Sequence, residues 1–228
     1  MSAFFVTASG TEIGKTFVTV ALIHELRRRG RPVAALKPVA SGFDPTHPED
    51  TDPGALLVAL GEPVSTQILD QIAPWRFRAP LSPDMAAARE SRAIDFAKLV
   101  EYSRAAIAAA SGPLLIEGVG GVMVPLNERH TVLDWIAALR IPTILVGGSY
   151  LGAISHALTA LDTLHSREIA VAALIVNETP QSSVELDETT ATIARFASGV
   201  PVITLPRLAH AGQPHPAIGR LTELLDRF

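Results

Sequence analysis

The sequence predicts an α/β fold with a mainly parallel central sheet of about seven strands and helices on both faces. Short apolar runs, typical of strands buried on both faces, alternate along the chain with amphipathic segments of helical length. Several of these runs end in a charged or amide side chain followed by small residues. The 228 residues are 48% hydrophobic and show no sharp shift in composition, so we expect one domain over residues 1–228.

Composition and charge exclude several classes of function. The net charge of −4 leaves no basic face of the kind that nucleic acid or an anionic membrane would require. The absence of cysteine excludes disulfides, thiolate metal sites and cysteine nucleophiles, and the 7 histidines show no zinc-ligand spacing. The chain begins without a basic leader, and no apolar run approaches the length of a membrane span. We therefore expect a cytoplasmic protein with neither a nucleic acid nor a membrane partner.

The first predicted strand leads into a candidate phosphate-binding loop. An apolar run at 4–8 is followed by a turn of small residues, and Gly-Lys-Thr at 14–16 opens an amphipathic helix. Such a turn aims backbone N–H groups and a helix N-terminus at an anion, while the lysine adds charge and the hydroxyl can bind Mg²⁺. Ser9 stands where the strict motif has glycine, with Gly10 one place later. The flanking strand and helix, more than the formula, indicate a phosphate-binding loop of the kind found in P-loop NTPase-like domains.

Two further strand ends carry charged residues. The run at 32–36 delivers Lys37 to its carboxyl end, and the run at 114–116 ends in Glu117 before several glycines. Ligands of open α/β sheets lie beyond the carboxyl ends of the strands, so both side chains are candidates for the site. Glu117 is placed to meet Mg²⁺. The alternatives are an exposed lysine at a strand end and a carboxylate that ties down a Gly-rich turn.

Three other positions leave two interpretations open. Asp52 precedes Pro53 and either caps a helix that begins there or holds Mg²⁺. Asn177 ends a predicted strand, and its amide could read a base edge or cap the turn. The segment 149–156 opens a helix whose unclaimed N–H groups could receive a carboxylate.

The remaining pattern gives further elements. An extended segment at 73–77 contains Pro74, which limits it to an edge strand. We predict further strands at 142–148, 170–176 and 200–204, and helices from Ser82, at 95–110, at 133–139 and at 218–228.

Several motifs, taken in order, resemble the dethiobiotin synthetase family. They span residues 5 to 208 and comprise segments 11–16, 37–42, 51–52, 80–83, 117–121, 151–156 and 176–177. The chain departs from the family at Ala8, where glycine is usual, and at Gly10, where an acidic or small residue is common. Glycine at position 10 still allows the loop to turn.

The resemblance implies an ATP-dependent cyclo-ligase. In this reaction 7,8-diaminononanoate takes up CO₂ as a carbamate, ATP phosphorylates the carbamate, and the second amine closes the ureido ring of dethiobiotin. The resemblance also implies Mg²⁺ as cofactor and a homodimer with the site at the subunit interface.

The resemblance further implies roles for individual residues, some of which share two roles. The nucleotide would contact Glu12, Ile13, Gly14, Lys15, Thr16, Phe17, Asn177 and Pro206. Mg²⁺ would be held by Thr16, Asp52 and Glu117. The substrate would meet Lys37, Ser41, Gly152, Ala153 and Ser155, the last three from the partner subunit. Catalysis would depend on Lys37, Lys15 and Thr11.

Two rival functions use the same loop and sheet. One is a P-loop ATPase switch that positions or partitions macromolecules, which usually carries a second lysine in the loop or an amphipathic or basic segment. Position 10 is glycine, and no such segment is evident. The other is a related ligase acting on a different small acid, and the 151–156 segment is the feature that discriminates it.

Overall fold

The computed structural model describes residues 3–180 and 182–228, and a six-stranded parallel sheet lies at its centre. The strands are β1 (Ala3–Ala8), β2 (Ala34–Leu36), β3 (Val39–Ser41), β4 (Trp75–Phe77), β5 (Leu114–Glu117), β6 (Thr143–Gly147), β7 (Val171–Asn177) and β8 (Val202–Leu205). The order in the central sheet is β2-β5-β1-β6-β7-β8, and β3 pairs with β4 in a separate two-stranded sheet. Every pairing is parallel.

Helices cover both faces of the central sheet. They are α1 (Lys15–Arg28), α2 (Asp52–Leu60), α3 (Thr66–Ile72), α4 (Pro83–Arg89), α5 (Phe96–Ala109), α6 (Val132–Leu139), α7 (Ala153–His165), α8 (Leu186–Phe196) and α9 (Pro216–Leu225). Two buried apolar clusters form, one on each face of the sheet. Neighbouring residues of β1 alternate between them, Phe4 and Val6 on the face covered by α1 and α9, and Phe5 on the face covered by α6 and α7.

The fold class is confirmed, with two differences in detail. The central sheet has six strands rather than about seven, because the edge strand predicted at 73–77 and the segment after Lys37 pair with each other outside it. The helix expected from Pro53 begins at Asp52, and Thr51 is its N-cap residue. Helices α3 and α8 were not predicted. Helix α8 buries only Thr189 and Ile193.

The parallel arrangement places all carboxyl ends of the central strands along one edge. Strand β1 lies between β5 and β6, so the loop that follows it is flanked by the ends of both neighbours. Backbone hydrogen bonds fix this contact: the Gly118 N–H donates to the Val6 carbonyl at 2.9 Å, and the Ser9 N–H donates to the Val146 carbonyl at 2.9 Å. This edge is where the candidate site residues meet.

Within residues 3–180 and 182–228, none of the helices combines the length and the apolarity needed to cross a membrane.

Candidate active site

The candidate phosphate-binding loop between β1 and α1 is called the phosphate-type loop below. Its shape depends on a residue with left-handed backbone at the start of α1. Gly14 has φ 96° and is the N-cap residue, and its carbonyl accepts the N–H of Val18 at 3.0 Å. A Cβ at this position would lie 2.3 Å from Asn177 Nδ2. Glu12 also adopts a left-handed conformation, with φ 57°, which a non-glycine residue holds only at a cost of about 1–2 kcal/mol. Strain of this kind is concentrated at functional sites.

A cavity of about 510 Å³ opens beside this loop. Its lining brings together the ends of β1, β2, β3 and β5 with the starts of α1, α2 and α4. The lining residues are Thr11, Glu12, Gly14, Lys15, Thr16, Lys37, Ser41, Asp52, Pro80, Leu81, Ser82, Pro83, Val119, Gly120 and Val124. Residues from separate predicted segments thus share one cleft, and buried Glu117 reaches its floor through contacts with Thr16 and Lys37.

Four side chains form a compact polar cluster in the cleft. Lys37 Nζ lies 2.9 Å from an Asp52 carboxylate oxygen and 2.7 Å from Glu117 Oε1. Thr16 Oγ1 lies 2.8 Å from the other Asp52 oxygen and 2.7 Å from Glu117 Oε1. The side chain of Lys37 is 1% exposed and that of Glu117 is 0% exposed, whereas Asp52 is 46% exposed. The cluster is therefore open to the cleft mainly on the Asp52 side.

These contacts exclude one of the two interpretations of Asp52. Its carboxylate bonds with Thr16 and Lys37 rather than with the backbone at the start of its own helix. The capping interpretation is therefore wrong for this side chain. Lys37 is likewise buried and paired, so the exposed-lysine interpretation is wrong as well.

The charges in the cluster alter each other's pKa. Burial alone would lower the pKa of Lys37, but Glu117 and Asp52 outweigh it and raise that pKa above its ordinary value. Burial would raise the pKa of Asp52, yet Lys37 holds it below its ordinary range. Burial, reinforced by the Lys37 charge, lowers the pKa of Lys15 to about 8. At neutral pH, Lys37 is thus an ammonium and Asp52 a carboxylate.

Oxygen ligands of the type that Mg²⁺ prefers are grouped here. Glu117 Oε2 is buried and has no hydrogen-bond partner among the described residues, although a buried carboxylate oxygen is normally satisfied. Together with Thr16 Oγ1 and Asp52, it gives a hard-oxygen donor set that fits a magnesium ion. In residues 3–180 and 182–228, no cluster of three His, Asp or Glu side chains is placed to hold a metal.

A second cavity, of about 390 Å³, adjoins the first across the loop. Glu12 and Gly14 line both cavities. The other lining residues are Ile13, Phe17, Asn177, Glu178, Thr179, Pro180, Arg207, Leu208 and Ala209. Asn177 Nδ2 donates to the Ile13 carbonyl at 2.9 Å, which anchors the loop. The side-chain carbonyl oxygen of Asn177 takes no part in that hydrogen bond. Pro206 follows β8 but is not a lining residue; its successors Arg207, Leu208 and Ala209 are.

The start of α7 differs from expectation at one residue. Gly152 is the N-cap with φ 99°, and Gly152 and Ser155 are exposed. The Ala153 N–H, however, donates to the Tyr150 carbonyl at 2.9 Å, so the expectation that it is unclaimed is wrong. The reason is a tight turn at 150–153 that leads into the helix. Neither cavity of this chain is lined by any described residue of 151–156.

Sequence reasoning missed several contributors to the two cavities. It gave no role to Ser82, Val119 or Val124 in the first cavity, nor to Thr179 and Arg207 in the second. It also missed the Gly118 carbonyl, which accepts a hydrogen bond from Lys37 Nζ at 2.7 Å. Backbone acceptors and apolar walls have no residue-type signature. The one available signal was that some of these residues lie in or next to the motif segments 80–83 and 117–121.

Comparison with known proteins identifies the family. A family model described as AAA domain matches residues 2–214. The ATP-dependent dethiobiotin synthetase BioD of Acidiphilium cryptum is 50% identical over 202 residues, covering 88% of this chain and 91% of its own. The chain belongs to the dethiobiotin synthetase family. The enzyme of the same name from Methylobacterium nodulans is 51% identical over 212 residues, covering 91% and 94% of the two chains.

Solved structures with the same architecture have much lower sequence identity to this dethiobiotin synthetase family member. The cell division ATPase MinD of Pyrococcus furiosus superimposes with a TM-score of 0.59 at 16% identity, covering 100% of this chain and 99% of its own. MinD of Aquifex aeolicus gives a TM-score of 0.60 at 14% identity, covering 100% and 96%. At these identities the likeness establishes the P-loop NTPase fold and does not support a switch function for this chain.

Proposed function

We propose that this protein catalyses the ATP-dependent carboxylation and ring closure of 7,8-diaminononanoate with CO₂, giving dethiobiotin, ADP and phosphate. One observation carries the proposal: the buried Lys37 ammonium lies at the junction of the phosphate-type loop, two carboxylates and a cleft lined by Thr11 and Ser41. The family relationship supports the same reaction. The proposal treats residues 1–228 as one ATP-binding domain that works in the cytoplasm.

The reaction proceeds through a carbamate and a mixed anhydride. An amine of the substrate attacks CO₂ and loses a proton, which gives the carbamate. A carbamate oxygen attacks the γ-phosphorus of ATP, and ADP leaves. The second amine then attacks the carbonyl carbon of the carbamic-phosphoric anhydride and loses a proton, the C–O bond to phosphate breaks, phosphate leaves, and the ring closes.

The chain supplies alignment and charge more than covalent chemistry, as phosphoryl transfer requires. Lys15 and the N–H groups of 11–16 hold the β- and γ-phosphates. Lys37 bridges the carbamate and the γ-phosphate as a point charge. Thr11 and Ser41 position the diamine in the cleft that they line.

The second cavity receives the nucleoside. The amide of Asn177 meets adenine through its carbonyl oxygen, with Phe17, Ile13 and the 207–209 segment around the ring. This cavity adjoins the phosphate-type loop, which supports a nucleotide that lies across Gly14 and Glu12.

Mg²⁺ belongs with Thr16, Asp52 and Glu117 in this proposal, since their oxygens suit it and one Glu117 oxygen lacks a partner. When bound, the ion would neutralise phosphate charge during transfer.

The substrate carboxylate binds the start of α7 from a partner subunit in a homodimer. Gly152 and Ser155 are exposed, and Leu151 is 80% exposed, yet this segment lines neither cavity of its own chain. A second copy would bring the N–H groups of Gly152 and Ser155 to the cleft. Ala153 contributes through the turn that it closes rather than through its own N–H.

A turnover assay tests the proposed reaction. With 7,8-diaminononanoate and bicarbonate present, ATP should be consumed with one phosphate released per dethiobiotin formed. ATP hydrolysis that is indifferent to the diamine would reject the assignment and favour a nucleotide switch. Turnover with another small acid but not with this diamine would favour a related ligase.

A substitution tests the assigned role of Lys37. Lys37→Ala should leave nucleotide binding largely intact and abolish ring closure. Loss of nucleotide binding with turnover retained would contradict that role.

A further inference from the structure

The ammonium of Lys37 is fully enclosed by oxygens. Its Nζ lies 2.7 Å from Glu117 Oε1, 2.9 Å from an Asp52 oxygen and 2.7 Å from the Gly118 carbonyl. An ammonium has three N–H donors, so every donor of Lys37 is used. The side chain is 1% exposed, and the charge faces protein oxygens rather than open solvent.

The same carboxylates are the ones assigned above to the metal. Thr16 Oγ1 contacts both of them, and Glu117 Oε1 is shared between Thr16 and Lys37. A divalent cation that took these oxygens would lie within a few ångströms of the Lys37 ammonium. The two cations would repel each other strongly in a buried setting, where solvent screens charge poorly.

The proposed reaction also needs Lys37 elsewhere. A lysine that bridges the carbamate and the γ-phosphate has to give up some of its protein partners. Lysine suits such movement, because it is a compact charge on a flexible stem. Incoming phosphate oxygens would replace the carboxylates that Lys37 leaves.

We propose that Lys37 is an exchangeable counter-ion: in the nucleotide-free protein its ammonium holds the Asp52–Glu117 pair, and divalent metal displaces it toward the substrates. This inference rests on the proposed metal assignment and deepens it by naming how metal entry is regulated. The metal ion and the Lys37 ammonium compete for the Asp52 and Glu117 carboxylates, so the nucleotide-free protein binds metal weakly. Nucleotide, which offers Lys37 new partners, strengthens metal binding, and linkage makes the effect reciprocal.

Metal binding without nucleotide tests the exchange. Mn²⁺ serves as probe, and free Mn²⁺ is measured by electron paramagnetic resonance for the wild type, Lys37→Met and Lys15→Met. Methionine keeps an unbranched apolar stem and removes the charge. Lys37→Met should bind Mn²⁺ at least about tenfold more tightly than the wild type, because a competing cation is gone.

Lys15→Met is the matched control. Lys15 is another buried lysine whose charge is felt by the same carboxylates, yet its Nζ forms no ion pair within 4.0 Å with the described Asp52 or Glu117. General charge removal would strengthen Mn²⁺ binding equally in both variants. Exchange predicts a clearly larger gain in Lys37→Met. Equal gains, or a Lys37→Met affinity no tighter than that of the wild type, would overturn the proposal.

Thermal unfolding covers the case in which Lys37→Met is unstable. Mn²⁺ should then raise the unfolding temperature of Lys37→Met markedly and that of the wild type little, because only the variant has vacant carboxylates. A rise no larger in the variant than in the wild type would also overturn the exchange. None of these measurements contains diamine or ATP. Failure of diamine-dependent turnover would therefore reject the proposed reaction without affecting the metal result. Equal Mn²⁺ affinities would in turn reject the exchange without affecting the proposed reaction.

Discussion

Replacement of Gly14 by alanine should disturb the loop through two separable effects. The residue has φ 96°, and an added Cβ would lie 2.3 Å from Asn177 Nδ2. The left-handed backbone costs a non-glycine residue about 1–2 kcal/mol. Displacing the Asn177 amide also breaks its 2.9 Å hydrogen bond to the Ile13 carbonyl. Losing that bond adds about 0.5–1.5 kcal/mol.

The sum for Gly14→Ala is about 1.5–3.5 kcal/mol, which lowers the unfolding temperature of a chain of this size by about 3–14 °C. ADP affinity, measured by isothermal titration calorimetry, should fall by about tenfold or more, because the N–H groups that face the phosphates are displaced. Thermal unfolding gives the stability change directly.

Gly199→Ala is the matched control for backbone strain. Gly199 has φ 85°, and an added Cβ there would meet no described atom within 4 Å. This variant should lose only the conformational part, about 1–2 kcal/mol, and should bind ADP normally. The double variant Gly14→Ala/Asn177→Ala should lose less stability than the two single changes combined, since the clash is removed. Equal losses in Gly14→Ala and Gly199→Ala, or strict additivity in the double variant, would refute the clash.

Three further changes test other parts of the structure. Glu117→Gln removes a buried partner of Lys37 and should cost roughly 3 kcal/mol in denaturant unfolding; an unchanged midpoint would show that Asp52 and the Gly118 carbonyl suffice. ADP affinity in the wild type should weaken above about pH 8, by up to about tenfold per pH unit, because Lys15 with a pKa of about 8 must then take up a proton to bind phosphate. Calorimetry across that range should show no such slope in Lys15→Met, and a flat wild-type profile would contradict the lowered pKa. Trp135→Phe removes the 3.1 Å hydrogen bond from Nε1 to buried Ser103 and some core volume, and should destabilise by about 1–3 kcal/mol, with thermal unfolding as the check.

The strand ends could be predicted because their signals are local. A buried apolar run followed by Lys37 or Glu117 is visible in the sequence, and a parallel sheet brings such ends to one edge. The placement of Thr16 beside Glu117, 101 positions away, follows from the same rule, since β1 and β5 are neighbours. The local pattern and the rule for parallel sheets together thus predicted that these charged strand ends lie at one edge.

The partners of Asp52 could not be predicted from its local pattern, because they depend on packing between α1 and α2. A residue before Pro53 at a helix start has the same local pattern whether it caps the helix or faces a site. Its position depends on the 48–54 turn, where a Cβ on Gly54 would lie 1.9 Å from the Pro48 carbonyl oxygen. Only glycine permits that closeness in the first turn of α2.

The irregular loop at 8–12 is explained by its neighbour rather than by its own sequence. A Cβ on Gly121 would lie 3.2 Å from the Cα and N of Gly10 and 3.3 Å from the Ala8 carbonyl oxygen, so the 118–121 turn packs directly on the loop. The Val122 N–H donates to that same Ala8 carbonyl at 3.0 Å. The bulk of Ala8 is tolerated because it is buried on the sheet side, while the close approach falls at Gly10. The path of the loop at 8–10 thus depends on a turn more than 100 positions away, which a motif confined to the loop cannot encode.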